Sequence, residues 1–259
     1  MTEPTATLTR PSFLNTERGV SIAYHKIAGT SPGVLFCGGF MSDMTGAKAL
    51  ALESFCRARG QAYTRFDYAG HGQSSGRFEE GCIGDWTADA LAILDRVTEG
   101  PQIVVGSSMG AWIALNLALA RPTRVAALVT VAAAPDFTED LMWAQFPPDI
   151  RRKLETEGVY QQPSAYGDAP YPITLRLIED GRLHLRLRGP IAFDKPARLL
   201  HGMRDPDVPW QRSLDLAERL AASDVQVILI KDGDHRLSRD ADLALLTRTL
   251  GSLLDPANG

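Results

Sequence analysis

Apolar residues along this chain fall into short runs separated by longer, periodic stretches. Runs rich in β-branched and apolar residues at 34–36, 62–67, 103–105, 125–132, 197–200 and 225–230 predict buried strands. The stretches near 48–59, 87–97, 111–121, 213–221 and 240–254 are typical of helices. Strands that alternate with helices in this way form βαβ units. The pattern therefore predicts an α/β protein with a mostly parallel central sheet and helices on both faces.

The alternation is interrupted near the start and in the middle of the chain. Residues 13–14 and 20–27 alternate apolar and polar around Glu17-Arg18-Gly19, which predicts an antiparallel hairpin. Regularity stops between about 133 and 196, where a polar helix near 150–157 precedes a loop rich in Tyr, Pro and Gly. Such an insertion predicts a small cap over the edge where open α/β sheets bind ligands. We interpret 1–259 as one domain with this cap, and we favour helix over strand for 173–178.

The central motif lies between the predicted strand 103–105 and the helix that follows it. It is Gly-x-Ser-x-Gly, Gly106 to Gly110, with Ser108 in the middle. Flanking glycines permit a turn tight enough to lift a serine out of the sheet, as in a nucleophile elbow. The five residues alone are a weak signal, for which a plain glycine turn is the better interpretation. The strand before and the helix after favour the elbow.

A serine nucleophile needs a base, and the base needs an acid to orient it. In this fold the expected order is serine, acid, histidine. Asp205 follows the strand 197–200 in an Asp-x-x-Val-Pro sequence and is the first choice for the acid, with Asp207 the alternative in the same loop. His235 directly follows the last predicted strand and is the expected base. The other four histidines are expected to be structural or solvated.

An oxyanion hole needs two backbone N–H groups, one after the nucleophile and one from the loop after the third strand. These are expected to be those of Met109 and Phe40. Gly38 and Gly39 are expected to let the loop approach the substrate carbonyl.

Other residues near these motifs favour structural roles. Trp86 and Trp112 are expected to pack helices, although Trp112 is close to the elbow. Met142, Trp143 and Phe146 are expected to form the core of the cap, with an apolar acyl pocket as the less favoured alternative. No chemistry is assigned to the loop and cap residues Asp67, Asp43 and Lys48.

Composition excludes several function classes. A net charge of −4 without a basic patch argues against nucleic acid and anionic membranes as partners. Three widely spaced cysteines indicate a reduced protein without a disulfide framework or zinc site. Met1 to Arg10 is polar, and no window of 18 apolar residues occurs, so no leader and no stable membrane insertion are expected. A cytoplasmic location is the resulting prediction.

With these residues assigned, the chain resembles the α/β-hydrolase superfamily over about residues 15–254. Within it, the chain is similar to mitochondrial palmitoyl-protein thioesterases that also hydrolyse acyl glucuronides. The matching stretches are 46–50, 65–68, 100–103, 105–108, 199–203, 208–210 and 234–236. The resemblance implies the same triad, Ser108, Asp205 and His235. Two departures are Gly38-Gly39, where many relatives have His-Gly, and the absence of a transit peptide.

The residues predict a serine hydrolase that cleaves acyl esters or thioesters through an acyl-enzyme, without a metal or organic cofactor. The substrate is expected to be a small molecule or an acylated protein. Activity on palmitoyl-proteins and acyl glucuronides is what the resemblance implies. The alternatives are a short-chain carboxylesterase or a peptidase of the same fold, and, in another class, a non-catalytic binding module. A dehalogenase is disfavoured because it would have Asp in place of Ser108.

Overall fold

The computed structural model describes residues 10–163 and 170–255 and has an eight-stranded sheet at its centre. The sheet order is β1-β2-β4-β3-β5-β6-β9-β10, and β7 and β8 form a separate hairpin. The strands are β1 (Ser12–Asn15), β2 (Ser21–Ile27), β3 (Thr30–Cys37), β4 (Gln61–Phe66), β5 (Gln102–Ser107), β6 (Val125–Val131), β7 (Val159–Gln162), β8 (Tyr171–Thr174), β9 (Ala197–Gly202) and β10 (Val225–Ile230).

Six of the eight strands run parallel, as the alternating pattern predicts. The six are β4, β3, β5, β6, β9 and β10. β1 and β2 form the predicted antiparallel hairpin at one edge, with Phe13 opposite Ala23. β3 begins at Thr30, earlier than predicted, because Thr30 pairs with Gln61 before the register shifts toward Val34. The carboxyl ends of the parallel strands therefore meet at one edge of the sheet.

Helices cover both faces of the sheet. They are α1 (Ala47–Arg59), α2 (Ile83–Arg96), α3 (Met109–Ala120), α4 (Pro148–Glu157), α5 (Leu175–Arg182), α6 (Gln211–Arg219) and α7 (Asp240–Leu254). Helices α1 and α7 contribute to one apolar cluster, whereas α2 and α3 contribute to the other. In β5, Ile103 and Val105 face the first cluster and Val104 faces the second. Burial on both faces explains why β5 is an uninterrupted apolar run.

Two local features anchor the helices nearest the motifs. α1 is followed by Gly60, whose φ of 65° is left-handed, the conformation of a glycine C-cap. α3 is apolar all round and buried from Met109 to Ala118. A helix without a polar face has to lie inside the protein. The start of α3, directly after Ser108, is accordingly buried.

The insertion after β6 contains a π-helix (Thr138–Trp143), α4, the β7–β8 hairpin and α5. The helix favoured for 173–178 is only partly correct, because Ile173 lies in β8 and α5 begins at Leu175. The Thr174 Oγ1 accepts a 3.1 Å hydrogen bond from the Leu177 N–H, and this helix N-cap sets the boundary between β8 and α5. Gly181 lies inside α5, which continues to Arg182.

Parts of two predictions concern residues outside the described ranges. These are residues 1–9 of the predicted leaderless N-terminus and residues 164–169 of the Tyr-, Pro- and Gly-rich loop. Over residues 10–163 and 170–255, no helix has the length and apolar character needed to span a bilayer.

Candidate active site

Ser108 stands on a strained turn at the carboxyl end of β5. Its φ of 54° and ψ of −117° are unusual for a residue with a side chain, and such a conformation costs roughly 1–3 kcal/mol. A Cβ on Gly106 would collide with the backbone of Gly110 and Ala111, and one on Gly110 would collide with the Cys37 carbonyl. The two motif glycines therefore allow β5, α3 and the end of β3 to approach closely around Ser108.

Ser108, His235 and Asp205 form a continuous hydrogen-bonded chain. Ser108 Oγ lies 3.1 Å from His235 Nε2, and His235 Nδ1 lies 2.7 Å from Asp205 Oδ2. A carboxylate only accepts, so Nδ1 carries the hydrogen and Nε2 is free to accept from the serine hydroxyl. This arrangement is the tautomer in which a histidine removes a proton from a serine.

Asp205, rather than the alternative Asp207, is hydrogen-bonded to His235. The Asp205 side chain is fully buried, and its Oδ1 accepts the N–H groups of Asp207 and Val208 at 2.8 and 2.9 Å. Burial alone would raise the pKa of Asp205, but hydrogen bonds from His201 and His235 hold that pKa well below its usual range. Asp205 is therefore a carboxylate at neutral pH, able to stabilise a positive charge on His235.

Asp207 is exposed, although its carboxylate lies within 4.8 Å of Asp205 and His235. Three such groups could in principle bind a cation. Asp205 and His235 are hydrogen-bonded to each other at 2.7 Å, as the predicted acid and base would be.

The expected oxyanion loop follows β3 and passes beside the nucleophile. A Cβ built on Gly39 would lie 3.6 Å from the Ser108 Cβ, an ordinary contact, and one on Gly38 would meet nothing within 4 Å. The protein itself therefore leaves room for a side chain at both positions, and their role in the approach to a substrate carbonyl stays a prediction. The Phe40 ring packs edge-on against Phe137 and three other aromatic rings and fixes this part of the loop.

The far end of this loop is held by two residues to which the sequence assigns no chemistry. The Asp67 Oδ1 accepts the Met44 N–H at 2.7 Å, and Arg65 Nη1 donates to the Met44 carbonyl at 2.8 Å. Asp67 also accepts the Gln73 N–H, and its burial raises its pKa. The signal that could have found Asp67 is its place directly after β4 and before the glycine-rich stretch 70–76.

A cavity of about 650 Å³ opens at Ser108 and His235. Its apolar lining residues, called the apolar side, are Phe40, Ala134, Phe137 and, from the cap, Leu141, Met142 and Tyr171. Its polar lining residues, called the polar side, include Ser42, Asp43, Lys48, Asp207, Arg236 and Ser238. The hydrogen-bonded Ser108 and His235 thus line a cavity that offers both apolar and polar contacts.

Only Met142 of the three cap residues considered above lines the cavity. Trp143 lies beneath the guanidinium of Arg182 at 4.9 Å, and Phe146 packs against Tyr160. Trp112 is buried, and its Nε1 donates to a cap carbonyl at 2.8 Å. The packing role expected for Trp112 therefore agrees with its contacts.

Lys48 contributes a cation to the polar side of the cavity. Its Nζ donates to the carbonyl of Arg236, the residue after His235. Burial, together with the nearby guanidinium of Arg236, lowers the pKa of Lys48 to about 8. Lys48 therefore connects α1 to the loop that carries His235, a role that no sequence pattern indicated.

The family model described as "Alpha/beta hydrolase family" matches residues 34–246. The human protein named "Palmitoyl-protein thioesterase ABHD10, mitochondrial" is 44% identical over 245 residues, which are 94% of this chain and 80% of that protein.

Two solved structures are also similar. Mouse alpha/beta hydrolase domain-containing protein 10 superimposes with a TM-score of 0.89 and 43% identity, covering 96% of this chain and 99% of that one. A hydrolase structure from Agrobacterium vitis S4 has a TM-score of 0.90 and 40% identity, covering 94% and 98%. The range matched by the family model, 34–246, includes Phe40, Ser108, Met109, Asp205 and His235.

The predicted cytoplasmic location is contradicted by these comparisons. The relatives that share 44% identity over 94% of the chain are named as mitochondrial proteins. The prediction depended on the polar composition of the first ten residues. Terminal composition indicates a compartment when it contains a targeting segment, and otherwise it carries no information about location.

Proposed function

The chain belongs to the alpha/beta hydrolase family, and from this premise we propose that it hydrolyses acyl thioesters and esters with Ser108 as nucleophile. The observation that carries the proposal is the hydrogen-bonded sequence Ser108–His235–Asp205 at the mouth of a cavity with an apolar side. A hydroxyl activated in this way attacks acyl carbonyls, and the apolar side can accept an acyl chain.

The proposed reaction has two halves. His235 Nε2 takes the Ser108 proton as Oγ bonds to the acyl carbon, and the same proton then passes to the departing thiol or alcohol. Water next attacks the acyl-enzyme, with His235 again acting as base. Asp205 holds the ring in its tautomer and stabilises the imidazolium. The N–H groups of Phe40 and Met109 are proposed to bind the oxyanion, and no cofactor takes part.

We further propose long-chain acyl groups as substrates, including those of acylated proteins, and acyl glucuronides as a second ester class. The support is twofold: relatives 44% identical are named palmitoyl-protein thioesterases, and Met142 and Leu141 of the cap belong to the apolar side of the cavity. The polar side, with Lys48 and Arg236, suits a hydrophilic leaving group.

A fluorophosphonate probe tests the nucleophile. The wild-type protein and Ser107→Ala should be labelled, whereas Ser108→Ala should not, because the hydroxyl that lies 3.1 Å from His235 Nε2 is that of Ser108, and Ser107 is the last residue of β5. Folded wild-type protein that resists labelling would favour the non-catalytic binding module.

A chain-length series of acyl thioesters and oxygen esters tests the substrate class. We expect kcat/KM to be maintained or to rise toward palmitoyl, because added methylenes enter the apolar side of the cavity. Activity confined to short chains would favour a short-chain carboxylesterase, and cleavage of peptide amides in preference to esters would favour a peptidase.

A further inference from the structure

A second imidazole contacts the carboxylate proposed as the catalytic acid. His201, in β9, places Nε2 at 3.2 Å from Asp205 Oδ2, the same oxygen that faces His235 Nδ1 at 2.7 Å. His201 is fully buried, and its other nitrogen, Nδ1, lies 2.7 Å from the hydroxyl of Ser213 in α6. Five side chains are thereby connected, from Ser213 through His201, Asp205 and His235 to Ser108.

The surroundings of His201 fix its hydrogen positions. Nε2 faces two acceptors, Asp205 Oδ2 and the Val208 carbonyl at 3.1 Å, so Nε2 must carry a hydrogen. In the neutral ring Nδ1 is then an acceptor, and the buried Ser213 hydroxyl donates to it. Ser213 therefore stabilises the one tautomer of His201 that can donate to Asp205.

This contact completes the set of donors around Asp205. Oδ1 accepts two backbone N–H groups from its own loop, and Oδ2 accepts one imidazole N–H on each side. A carboxylate held by four donors cannot rotate without losing at least one of them. Each donor to a carboxylate also disperses its negative charge and makes it a weaker acceptor for the others.

We propose that His201, supported by Ser213, is a positioning residue that fixes the Asp205 carboxylate and limits how strongly it stabilises a proton on His235. This inference depends on the proposed function, because it takes Asp205 and His235 as acid and base. His201 does not touch the reacting atoms; it acts through Asp205.

Other charged groups also lie near His235 in the described structure. Asp207 lies within 4.8 Å on the acid loop, Asp234 and Arg236 flank the histidine in sequence, and Lys48 reaches the same loop from α1. They are retained in every variant below, so a difference between variants reports on His201 and Ser213.

The test compares pH profiles of kcat/KM for a short-chain acyl thioester. His201→Phe keeps an aromatic ring and removes both nitrogens, His201→Gln keeps an N–H donor, and Ser213→Ala removes the support. Without the donor, Asp205 stabilises the imidazolium more strongly, so the base stays protonated to higher pH. We expect the acid limb in His201→Phe to move up by about one pH unit. Ser213→Ala should give a smaller upward shift, and His201→Gln should stay near wild type.

The plateau values supply a second readout. Looser placement of Asp205 should lower kcat by about tenfold in His201→Phe and leave KM near its wild-type value, since no substrate contact is removed. An acid limb that does not move in folded His201→Phe overturns the proposal. Should that variant fail to fold, as judged by circular dichroism, an unmoved acid limb in Ser213→Ala overturns it instead.

Failure of the inference can be told apart from failure of the proposed function. The imidazole of His235 can be titrated by NMR without substrate in the wild type and in Ser213→Ala. A protein that cleaves neither esters nor thioesters would disprove the function, yet its His235 titration midpoint would still report on His201. An upward shift of that midpoint in Ser213→Ala supports the positioning role, and equal midpoints disprove it.

Discussion

Replacing Asp205 with asparagine should nearly abolish turnover, and the structure shows why. In the wild type, Oδ1 accepts two backbone N–H groups while Oδ2 accepts from His235 and His201. In Asp205→Asn the amide oxygen has to occupy the Oδ1 position, because only an oxygen can accept the two backbone N–H groups there. The amide N–H₂ then faces the N–H groups of His235 and His201, and donors cannot hydrogen-bond to one another.

His235 can relieve this conflict by moving its hydrogen to Nε2, so that Nδ1 accepts from the amide. Nε2–H then points at Ser108 Oγ, and the serine no longer has a base. The same exchange in other Ser-His-Asp sites lowers kcat by about 10⁴-fold. At about 1.4 kcal/mol per factor of ten, this is a loss of about 5.5 kcal/mol of transition-state stabilisation.

Asp207→Asn is the matched control, since it makes the same exchange two residues away. Asp207 is exposed, and loss of an exposed charge interaction is worth about 1 kcal/mol or less, which is about a fivefold effect at most. Rates of acyl-thioester turnover and of fluorophosphonate labelling should both follow this order. If Asp205→Asn keeps more than about a tenth of wild-type kcat while Asp207→Asn loses it, the acid is Asp207 and the argument fails.

Three further predictions address packing, pH dependence and substrate choice. Gly110→Ala should lower Tm by several degrees because its Cβ meets the Cys37 carbonyl, whereas Gly38→Ala, with open space at the Cβ, should match wild type in thermal melts; equal melting would contradict this. Burial lowers the pKa of His71 from its ordinary value of about 6.5 to about 4. The contribution of the neutral His71 ring to the stability of the fold is therefore complete above about pH 6.5, and it is lost as the pH falls toward 4 because only the unfolded chain takes up a proton over that range. Between pH 6.5 and 4 the free energy of unfolding, measured with urea, should fall with pH less steeply in His71→Phe than in the wild type, by about 1.4 kcal/mol per pH unit. Equal slopes in the two proteins would refute this prediction. Met142→Trp should reduce kcat/KM for palmitoyl thioesters by roughly tenfold and barely affect acetyl thioesters; equal losses would place the acyl chain elsewhere.

The elements of the sheet were accessible from the sequence because their signal is local. β5 is buried on both faces and α3 on all sides, so each is an apolar run bounded by turn residues. The comparisons confirm the predicted fold class and the predicted class of ester or thioester hydrolase. The roles of individual site residues stay predictions, with geometry that agrees with them.

The cap was less predictable, because its structure depends on contacts between distant segments. The stretch 173–178 has both strand and helix character. It is divided by the pairing of Ile173 with Tyr160 in the β7–β8 hairpin and by the helix N-cap at Thr174. The π-helix beside the cavity has no distinct sequence pattern. Its Asp140 pairs with Arg188 and with Arg212 of α6, contacts made across 48 and 72 residues.

The sequence by itself determined the order of the strands of the central sheet and of the helices between them, the motif around Ser108, and an aspartate and a histidine at later strand ends. These follow from apolar periodicity and from the chemistry that a serine nucleophile requires. Only the tertiary structure decided that Asp205 rather than Asp207 faces His235, and that His201 contacts the same carboxylate oxygen. Hydrogen bonding depends on differences of tenths of an ångström between groups on separate strands and loops, and those distances are set by packing of the whole sheet edge.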